Sequence, residues 1–552
     1  MIDIDKIRNS DQPNILMLTV DQMRFDCLNS ALAEENRFMI TPNLDRLAHE
    51  GTTYINCYSM NPVCIPARHN VLTGLTAKHH GFDDNYFDIQ KNIPYDLPTI
   101  GQILSDEGYD TIAIGKLHFQ PALRHNGFNR LLDMDEIPRW REDDAYAMFL
   151  KKNGLGNIQS MHGVRHLLYM QPQRSLVPEE FHANKWVADE TISYLNENRG
   201  RRPFFVWSNW ISPHPPFNTI DRLADLYKGK ELFPSYDSET SISTLAQENI
   251  NISNYPNKEV LQRSKELYCS QITHVDENIG RILDKLEAIG QLDNTVIIFM
   301  SDHGEMFGSN GTYQKFLPYD ASSKVPFIIR YPKLFKKNYI EHDLVTLNDI
   351  MPTFVELAGT TYPANIDLPG ISLINSQKKH EEIYIEHSKG NRRWISLRDK
   401  SFKYNYYFGG GREELFDMEN DPLERINLLE SDKDQYQELA RGMKSKLTNY
   451  ELKYGLLGTI ENGELIQLEP MKLNFYRETN FPYIYDRIVD ENEKLSMNNM
   501  VDEIIQATEK EELVIFSELD LETWKKAGGF SDADVQRLLE VDEQRKNRRT
   551  SK

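Results

Sequence analysis

Four short apolar runs, each followed within a few residues by a polar side chain suited to binding or catalysis, constrain the fold of this chain most. The runs are residues 14–20 before Asp21, 111–114 before Lys116, 204–207 before His214, and 295–300 before Asp302. Uninterrupted apolar runs of this length are typical of strands buried on both faces of a parallel sheet. Because such sheets place their sites beyond the carboxyl ends of the strands, we expect these four side chains to meet at one edge.

Amphipathic stretches lie between the apolar runs. Residues 44–50, 99–107, 188–196 and 264–290 carry apolar side chains at helical spacing. Strands that alternate with helices predict an α/β fold, in which helices sandwich a mostly parallel sheet. From residue 376 the chain changes to short β-rich runs, which predict a smaller C-terminal α+β subdomain with an antiparallel sheet. The predicted units are residues 1–375, 376–454 and 455–552. The last is a C-terminal extension to which the sequence assigns no role.

The net charge indicates which partners the protein can bind, and the cysteine content indicates its cellular compartment. A net charge of −21 over 552 residues disfavours nucleic acid and anionic membranes as partners. An anionic ligand would therefore need a local cluster of cations. Four cysteines in a chain this long do not make a disulfide framework. The first residues are charged, and runs of ~18 apolar residues are absent from the sequence, so we expect a cytoplasmic protein that spans no membrane.

The most specific motif covers residues 64–74, CIPARHNVLTG. The pattern CxPxRxxxLTG fixes six positions, which makes a chance match improbable. The plain alternative is a buried cysteine that packs as a small hydrophobic side chain beside a proline turn.

Together with residues 21–24, 41–45, 115–118, 213–216 and 301–305, this motif resembles the formylglycine-dependent sulfatases of the alkaline-phosphatase superfamily. The motifs occur in the family's order, and the resemblance extends from about residue 14 to about residue 429. It implies an alkaline-phosphatase-like fold. It also implies that a maturase converts Cys64 to formylglycine, whose hydrate supplies the nucleophile.

The same resemblance implies one divalent metal, with Ca²⁺ favoured and Mg²⁺ or Mn²⁺ as alternatives. Its implied ligands are Asp21, Gln22, Asp302, His303 and the group derived from Cys64. Many sulfatases carry Asp-Asp at the first position and Asp-Asn at the second. This chain departs from both, which leaves the identity of the metal open.

The remaining implied roles fall on five cationic or imidazole side chains. Arg68 and Lys116 would hold the hydrate, His118 would remove a proton from it, and His214 and Lys315 would grip sulfate and protonate the leaving oxygen. Taken singly, each has a structural alternative: a loop histidine, an exposed lysine or a core histidine, and for Asp21 a helix N-cap.

Asn85 lies where relatives often have a site asparagine, and its structural alternative is an Asx turn.

The leading functional hypothesis is a sulfuric ester hydrolase acting on a small aryl, sugar or alkyl sulfate. The alternative is a phosphonate monoester hydrolase or phosphodiesterase of the same superfamily, whose members share the Asp-Gln and Asp-His variants. Lys116 and His118 disfavour it, because that branch carries uncharged hydroxyl residues at this strand end. A third reading is a non-catalytic binding protein that keeps the fold. The C-terminal extension could also build a homo-oligomer interface.

Overall fold

The computed structural model describes residues 12–472 except 86–91, 137, 139, 157, 159–160, 164–168, 171, 199–201, 254–257 and 375–376, together with several residues between 531 and 543. The predicted boundary at 375–376 and most of the predicted extension lie outside the described residues. Both stay predictions.

The strands are β1 Asn14–Asp21, β2 Thr52–Tyr54, β3 Cys57–Tyr58, β4 Asp110–Gly115, β5 Arg130–Asp133, β6 Pro172–Arg174, β7 Phe204–Pro213, β8 Phe217–Thr219, β9 Thr295–Ser301, β10 Lys324–Val325, β11 Phe327–Arg330, β12 Tyr339–Glu341, β13 Val345–Thr346, β14 Ile383–His387, β15 Trp394–Arg398, β16 Phe402–Tyr407, β17 Arg412–Asp417, β18 Ile460–Glu461 and β19 Glu464–Leu465.

The helices are α1 Pro42–Glu50, α2 Cys64–Thr73, α3 Ala77–His80, α4 Ile100–Asp106, α5 Ala145–Lys152, α6 Ala183–Asn198, α7 Thr244–Ser253, α8 Lys258–Ala288, α9 Asp320–Ser323, α10 Ile350–Ala358, α11 Leu428–Ser431 and α12 Lys433–Tyr454. Of the described helices, none is long and apolar enough to cross a membrane.

The main sheet has eight strands in the order β12-β2-β11-β9-β1-β7-β4-β5. Strands β9, β1, β7, β4 and β5 pair in parallel, and only β11 pairs antiparallel with its neighbours in this sheet. The prediction of an α/β fold with a mostly parallel sheet is confirmed. Each of the four apolar runs is a strand, and β7 continues to Pro213, directly before His214.

Alternate residues of β1 pack into two separate apolar cores, one on each face of the sheet. Leu16 and Leu18 pack with side chains of α6 and α8, whereas Ile15 and Met17 pack with side chains of α2, α4 and α10. Helices therefore cover both faces, as the continuous apolar runs predict.

The smaller sheet is antiparallel and follows the chain order β14-β15-β16-β17. The antiparallel sheet predicted for the region after residue 376 is confirmed. Helix α12 packs on one face of this sheet through Ala440, Met443 and Leu447.

Candidate active site

The carboxyl ends of four neighbouring parallel strands carry the polar groups of the site. Strands β9, β1, β7 and β4 lie side by side, and they lead into Asp302, Asp21, His214 and Lys116. All four side chains are buried, at 4% exposure or less. The structure therefore brings together the residues that the strand-end argument predicts to meet.

Helix α2 supplies Cys64 and Arg68 from one face. Cys64 is its first residue, and Arg68 follows one turn later. The Asn85 amide oxygen accepts a hydrogen bond from the Ile65 backbone N–H at 3.0 Å. Asn85 thus satisfies a backbone donor in the first turn of α2, beside Cys64.

Gly74 ends α2 in the left-handed conformation, with φ of 72°. A Cβ at this position would lie 2.6 Å from the Met351 side chain. The last glycine of the CxPxRxxxLTG motif is therefore required by the helix end and its packing rather than by chemistry.

The Cys64 thiol lies in the middle of the site. Its Sγ is 3.2 Å from His303 Nε2 and 3.2 Å from Lys315 Nζ. Asp21 Oδ1 lies 3.8 Å away and Lys116 Nζ 4.0 Å away. A group formed at residue 64 would therefore face two ammonium groups, an imidazole and a carboxylate.

Arg68 and Lys116 neutralise the outer oxygens of the two aspartates. Arg68 donates from Nη2 to Asp21 Oδ2 at 3.2 Å and from Nε to Asp302 Oδ2 at 3.0 Å. Lys116 Nζ lies 2.5 Å from Asp21 Oδ2. Burial acts to raise the pKa of Asp21, but Lys116 and the other nearby cations outweigh it and hold that pKa well below its usual range. Asp21 is therefore a carboxylate.

The inner atoms of the site form a set of metal-ligand type. Single ligand atoms of Asp21, Cys64, Asp302 and His303 all lie within 4.8 Å of one another. His303 Nδ1 lies 3.0 Å from the Gly304 carbonyl oxygen, which can only accept, so Nδ1 carries the proton. Burial lowers the pKa of His303 and keeps the ring neutral.

The lone pair of His303 Nε2 consequently faces Asp21 Oδ1 at 3.6 Å and Asp302 Oδ1 at 3.7 Å. Electron pairs that converge in this way repel one another unless a cation lies between them. Two carboxylates and a neutral imidazole fit a divalent metal.

Gln22 adjoins this set and has a backbone φ of 67°, which is uncommon for a residue other than glycine. Its amide oxygen accepts a hydrogen bond from Lys315 Nζ at 2.7 Å, and its backbone N–H donates to Asp302 Oδ1 at 3.1 Å. Its amide nitrogen donates to Glu305. Gln22 therefore contacts the metal-ligand set through its backbone N–H, and its side-chain amide contacts Lys315 and Glu305.

Two imidazoles lie on the side of the site nearest Lys116. His118 Nε2 is 3.2 Å from Asp135 Oδ1. Burial and Lys116 oppose its protonation, but hydrogen bonds to Asp135 and Cys64 outweigh them and raise the pKa of His118 to about 8. His214 Nε2 is 3.1 Å from Glu136 Oε1, and burial holds the pKa of His214 well below its ordinary value.

Three carboxylates of the site were not predicted from the sequence. Asp135 lies 3.2 Å from His118 Nε2. Glu136 pairs with Lys116 and His214, and Glu305 accepts from Gln22. Glu136 follows β5, a short strand whose apolar pattern is weak. The strand-end argument that found Asp21 would have pointed to Glu136 if β5 had been recognised. Glu305 belongs to the 301–305 motif, but nothing in the sequence pairs it with Gln22.

Known proteins are similar to this chain over the region that carries the site. The sequence profile of the family described as Sulfatase matches residues 13–360, and that of the C-terminal part of N-sulphoglucosamine sulphohydrolase matches residues 308–453. An arylsulfatase of Clostridium perfringens is 32% identical over 76% of this chain and 91% of its own length. A choline-sulfatase of Rhizobium meliloti is 28% identical over 76% of this chain and 83% of its own length.

Among solved structures, a phosphonate monoester hydrolase of Agrobacterium radiobacter covers 83% of this chain and all of its own, with a TM-score of 0.69 and 21% identity. This likeness concerns the fold alone.

Proposed function

The chain belongs to the sulfatase family and is a sulfatase, and on this premise we propose that it cleaves the sulfate monoester of a small aryl, sugar or alkyl alcohol with a formylglycine made from Cys64. The observation that carries the proposal is the position of Cys64. Its Sγ lies 3.2 Å from both Lys315 and His303, at the edge where the strands β9, β1 and β4 deliver their polar residues.

A sulfate ester resists attack because its oxygens carry negative charge and its alkoxide leaves poorly. Lys116 and Lys315 offer two ammonium groups within 4.0 Å of the atom at position 64. These groups would bind sulfate oxygens and offset the charge that accumulates as the ester bond breaks. In a molecule with a net charge of −21, this local cluster lets an anion enter.

The geminal hydroxyls of a formylglycine hydrate would supply both the nucleophile and the means of releasing sulfate. Among this chain's own residues, His118 is the candidate that holds or accepts a proton beside position 64, and the contact with Asp135 at 3.2 Å supports this role. Lys315 is the candidate that gives a proton to the leaving oxygen, and His214, whose ring burial keeps neutral, is a candidate for gripping sulfate beside it.

We assign the divalent metal to Asp21, Gln22, Asp302, His303 and the group at position 64, with Ca²⁺ as the favoured ion. When bound, the metal would supply positive charge and Lewis acidity next to the sulfate. Removing metal with a chelator should abolish sulfatase activity, and adding Ca²⁺, Mg²⁺ and Mn²⁺ separately should identify the ion that restores it. Full activity in metal-free protein would refute this assignment.

The maturation and the reaction can be tested on the same protein. After coexpression with a formylglycine-generating maturase, mass spectrometry of the Cys64 peptide should show the aldehyde, and the protein should release sulfate from phenyl sulfate. Cys64→Ala should lose turnover by several orders of magnitude. Cys57→Ala is a matched control, because Cys57 is also buried but lies in β3. Undiminished turnover in Cys64→Ala would exclude this mechanism.

Phosphonate esters are the alternative substrates, since the Asp-Gln and Asp-His variants occur in that branch. Lys116 and His118 lie beside Cys64 and favour the sulfatase reading. Catalytic efficiencies on matched phenyl sulfate and phenyl phosphonate esters decide between the two.

We also propose a cytoplasmic location, which the four buried free cysteines support. Fractionation of the source cell would test it.

A further inference from the structure

Glu136 introduces a negative charge into the part of the site that binds the substrate anion. Its carboxylate pairs with Lys116 Nζ and lies 3.1 Å from His214 Nε2 through Oε1. Ligand atoms of Glu136, Cys64 and His118 all lie within 4.8 Å of one another. The side chain is only 5% exposed, so water screens this charge poorly.

The two groups that Glu136 contacts are ones the proposed mechanism uses for the anion. A carboxylate at this position opposes the binding of an anion, and the opposition grows with the charge that the anion carries. Its effect on the reaction therefore depends on the number of charges on the substrate.

The charges of the site can be counted from the residues in contact. Arg68, Lys116 and Lys315 contribute three positive charges, and Asp21, Asp302 and Glu136 contribute three negative ones. The charge of protonated His118 is offset by Asp135, 3.2 Å away. A divalent metal would leave a net charge of two positive units. Without Glu136 the net charge of the site would be three positive units.

Sulfate and phosphate monoesters have the same tetrahedral shape and differ in charge at neutral pH. A sulfate monoester carries one negative charge, whereas a phosphate monoester carries two because its second pKa lies near 6. A site that relies on shape and hydrogen bonding alone discriminates poorly between the two esters. The charge of the pocket can separate them, because each additional positive unit favours the dianion more than the monoanion.

We infer that Glu136 is a specificity-determining residue, whose buried carboxylate beside Lys116 and His214 makes the site prefer singly charged sulfate esters to doubly charged phosphate monoesters. This inference rests on the proposed function for its choice of substrates. It assigns a role to a residue that the sequence motifs do not include.

The test compares phenyl sulfate with phenyl phosphate at pH 8. Glu136→Gln removes the charge and keeps the size of the side chain. We expect it to shift the ratio of kcat/KM for phosphate over sulfate upward by about tenfold or more, a modest part of what one buried charge at this distance can exert. Glu136→Asp keeps the charge and should keep the preference for sulfate.

The matched control is Glu142→Gln. Glu142 follows Glu136 closely in the sequence, but its side chain is 66% exposed and pairs with Lys151 at 3.6 Å. The substitution makes the same change in net charge away from the site, so the ratio should stay at the wild-type value. If Glu136→Gln leaves the ratio unchanged, or if Glu142→Gln shifts it equally, the inference is wrong.

An equilibrium measurement separates this inference from the proposed function. Calorimetric titration of phenyl sulfate and phenyl phosphate into the Cys64→Ala protein, with and without Glu136→Gln, should show the same shift in the ratio of Kd values. A wild-type protein without sulfatase activity but with this shift would overturn the proposed function alone. An active sulfatase in which neither ratio moves would overturn the role of Glu136 alone.

Discussion

At the scale of single residues, Glu305 determines which end of the Gln22 amide faces the site. Glu305 accepts from the Gln22 amide nitrogen and, through Oε1, from the backbone N–H groups of Phe307 and Gln314. The Gln22 amide oxygen is thereby directed to Lys315 Nζ, 2.7 Å away. Glu305 is a positioning residue, because it acts on the reaction only through Gln22.

We predict that Glu305→Gln reverses or loosens the Gln22 amide, because the new side chain must accept two backbone N–H groups and then offers Gln22 a donor. The free energy of unfolding should fall by about 1–3 kcal/mol, the cost of an unsatisfied buried polar group. In activity assays on phenyl sulfate, kcat should fall by at least tenfold. Glu35→Gln, at an exposed position, is the control. Wild-type kcat together with wild-type stability would contradict the prediction.

Arg68 holds two further oxygens of the site besides those of Asp21 and Asp302. It also donates to the Lys116 carbonyl oxygen at 2.5 Å and to Asn209 Oδ1 at 2.9 Å. In Arg68→Lys a single ammonium cannot span Asp21, Asp302 and these two oxygens. We expect a loss of about 3 kcal/mol in unfolding free energy and a fall in kcat of about a hundredfold.

For Arg68→Lys, chemical denaturation measures the loss in unfolding free energy, and steady-state kinetics measure the fall in kcat. Arg46→Lys is the matched control, because Arg46 also bridges acidic groups, Glu50, Asp284 and Glu287, but at the surface. That change should cost less than about 1 kcal/mol. If the two substitutions lower the free energy of unfolding equally, the contacts of the buried Arg68 guanidinium have no special role.

At the scale of elements, Gly115 sets how closely β4 approaches β7. It has φ of 95°, and a Cβ there would lie 1.9 Å from the Asn209 carbonyl oxygen. The same oxygen accepts the Lys116 backbone N–H at 3.1 Å. Because residue 115 has no side chain, β4 can approach β7 closely enough for Lys116 to form this backbone hydrogen bond. The hydrogen bond fixes the position of the Lys116 backbone.

We predict that Gly115→Ala separates β4 from β7 at their carboxyl ends and displaces Lys116. Gly108→Ala is the matched control, since Gly108 also has a positive φ, of 87°, but a Cβ there would meet no other atom within 4 Å. The control should lose only about 1 kcal/mol, the conformational cost. Gly115→Ala should lose at least twice as much, together with most of its sulfatase activity. Equal losses in thermal unfolding would show that crowding at Gly115 is unimportant.

The sequence was sufficient to predict the elements that carry long apolar runs. Strands β1, β4, β7 and β9 were located because each is buried on both faces and ends at a polar residue. Strand β5 was not, because three of its four residues are only half-buried, and its pattern matches a surface segment equally well. Glu136 was missed together with the strand that positions it.

Contacts between distant segments could not be predicted in the same way. The meeting of Asp21 and Lys116 at one edge was predicted from the parallel sheet, because parallel strands deliver their carboxyl ends to one edge. The Gln22 and Glu305 contact depends on the path of the loops after two strands. Loop geometry of this kind leaves no periodic signal in a single sequence.

At the scale of the whole molecule, two buried ionic networks tie the small sheet to the rest of the chain. Arg393 pairs with Glu386 of β14 at 2.7 Å and with Glu451 of α12 at 2.8 Å, and Glu386 accepts the Ala77 backbone N–H of α3 at 3.1 Å. Lys403 of β16 forms the second network. Because removing one partner leaves a buried charge uncompensated, we expect both sheets to unfold in one transition.

The second network makes stability depend on pH. Lys403 Nζ lies 2.9 Å from Asp320 of α9 and 2.8 Å from Glu424. Burial, with the Asp320 charge opposing the attraction of Lys403, raises the pKa of Glu424 to about 7 from an ordinary value of 4.5. A raised carboxyl pKa means that the folded state binds the proton more tightly than the unfolded state. The stabilisation is therefore complete below about pH 4.5 and is lost as the pH rises through 7.

We predict that Glu424→Gln flattens the fall in unfolding free energy between pH 5 and pH 8, since the amide cannot ionise and keeps the size of the protonated acid. Over that range the wild type should lose about 2.5 kcal/mol more than the variant, which is most of the free energy equivalent to the shift in pKa. Denaturant titrations at each pH measure the difference. Glu419→Gln, at an exposed position near Glu424 in the sequence, should follow the wild-type curve. If Glu424→Gln also follows it, Glu424 is already ionised at pH 5 and Lys403 outweighs burial.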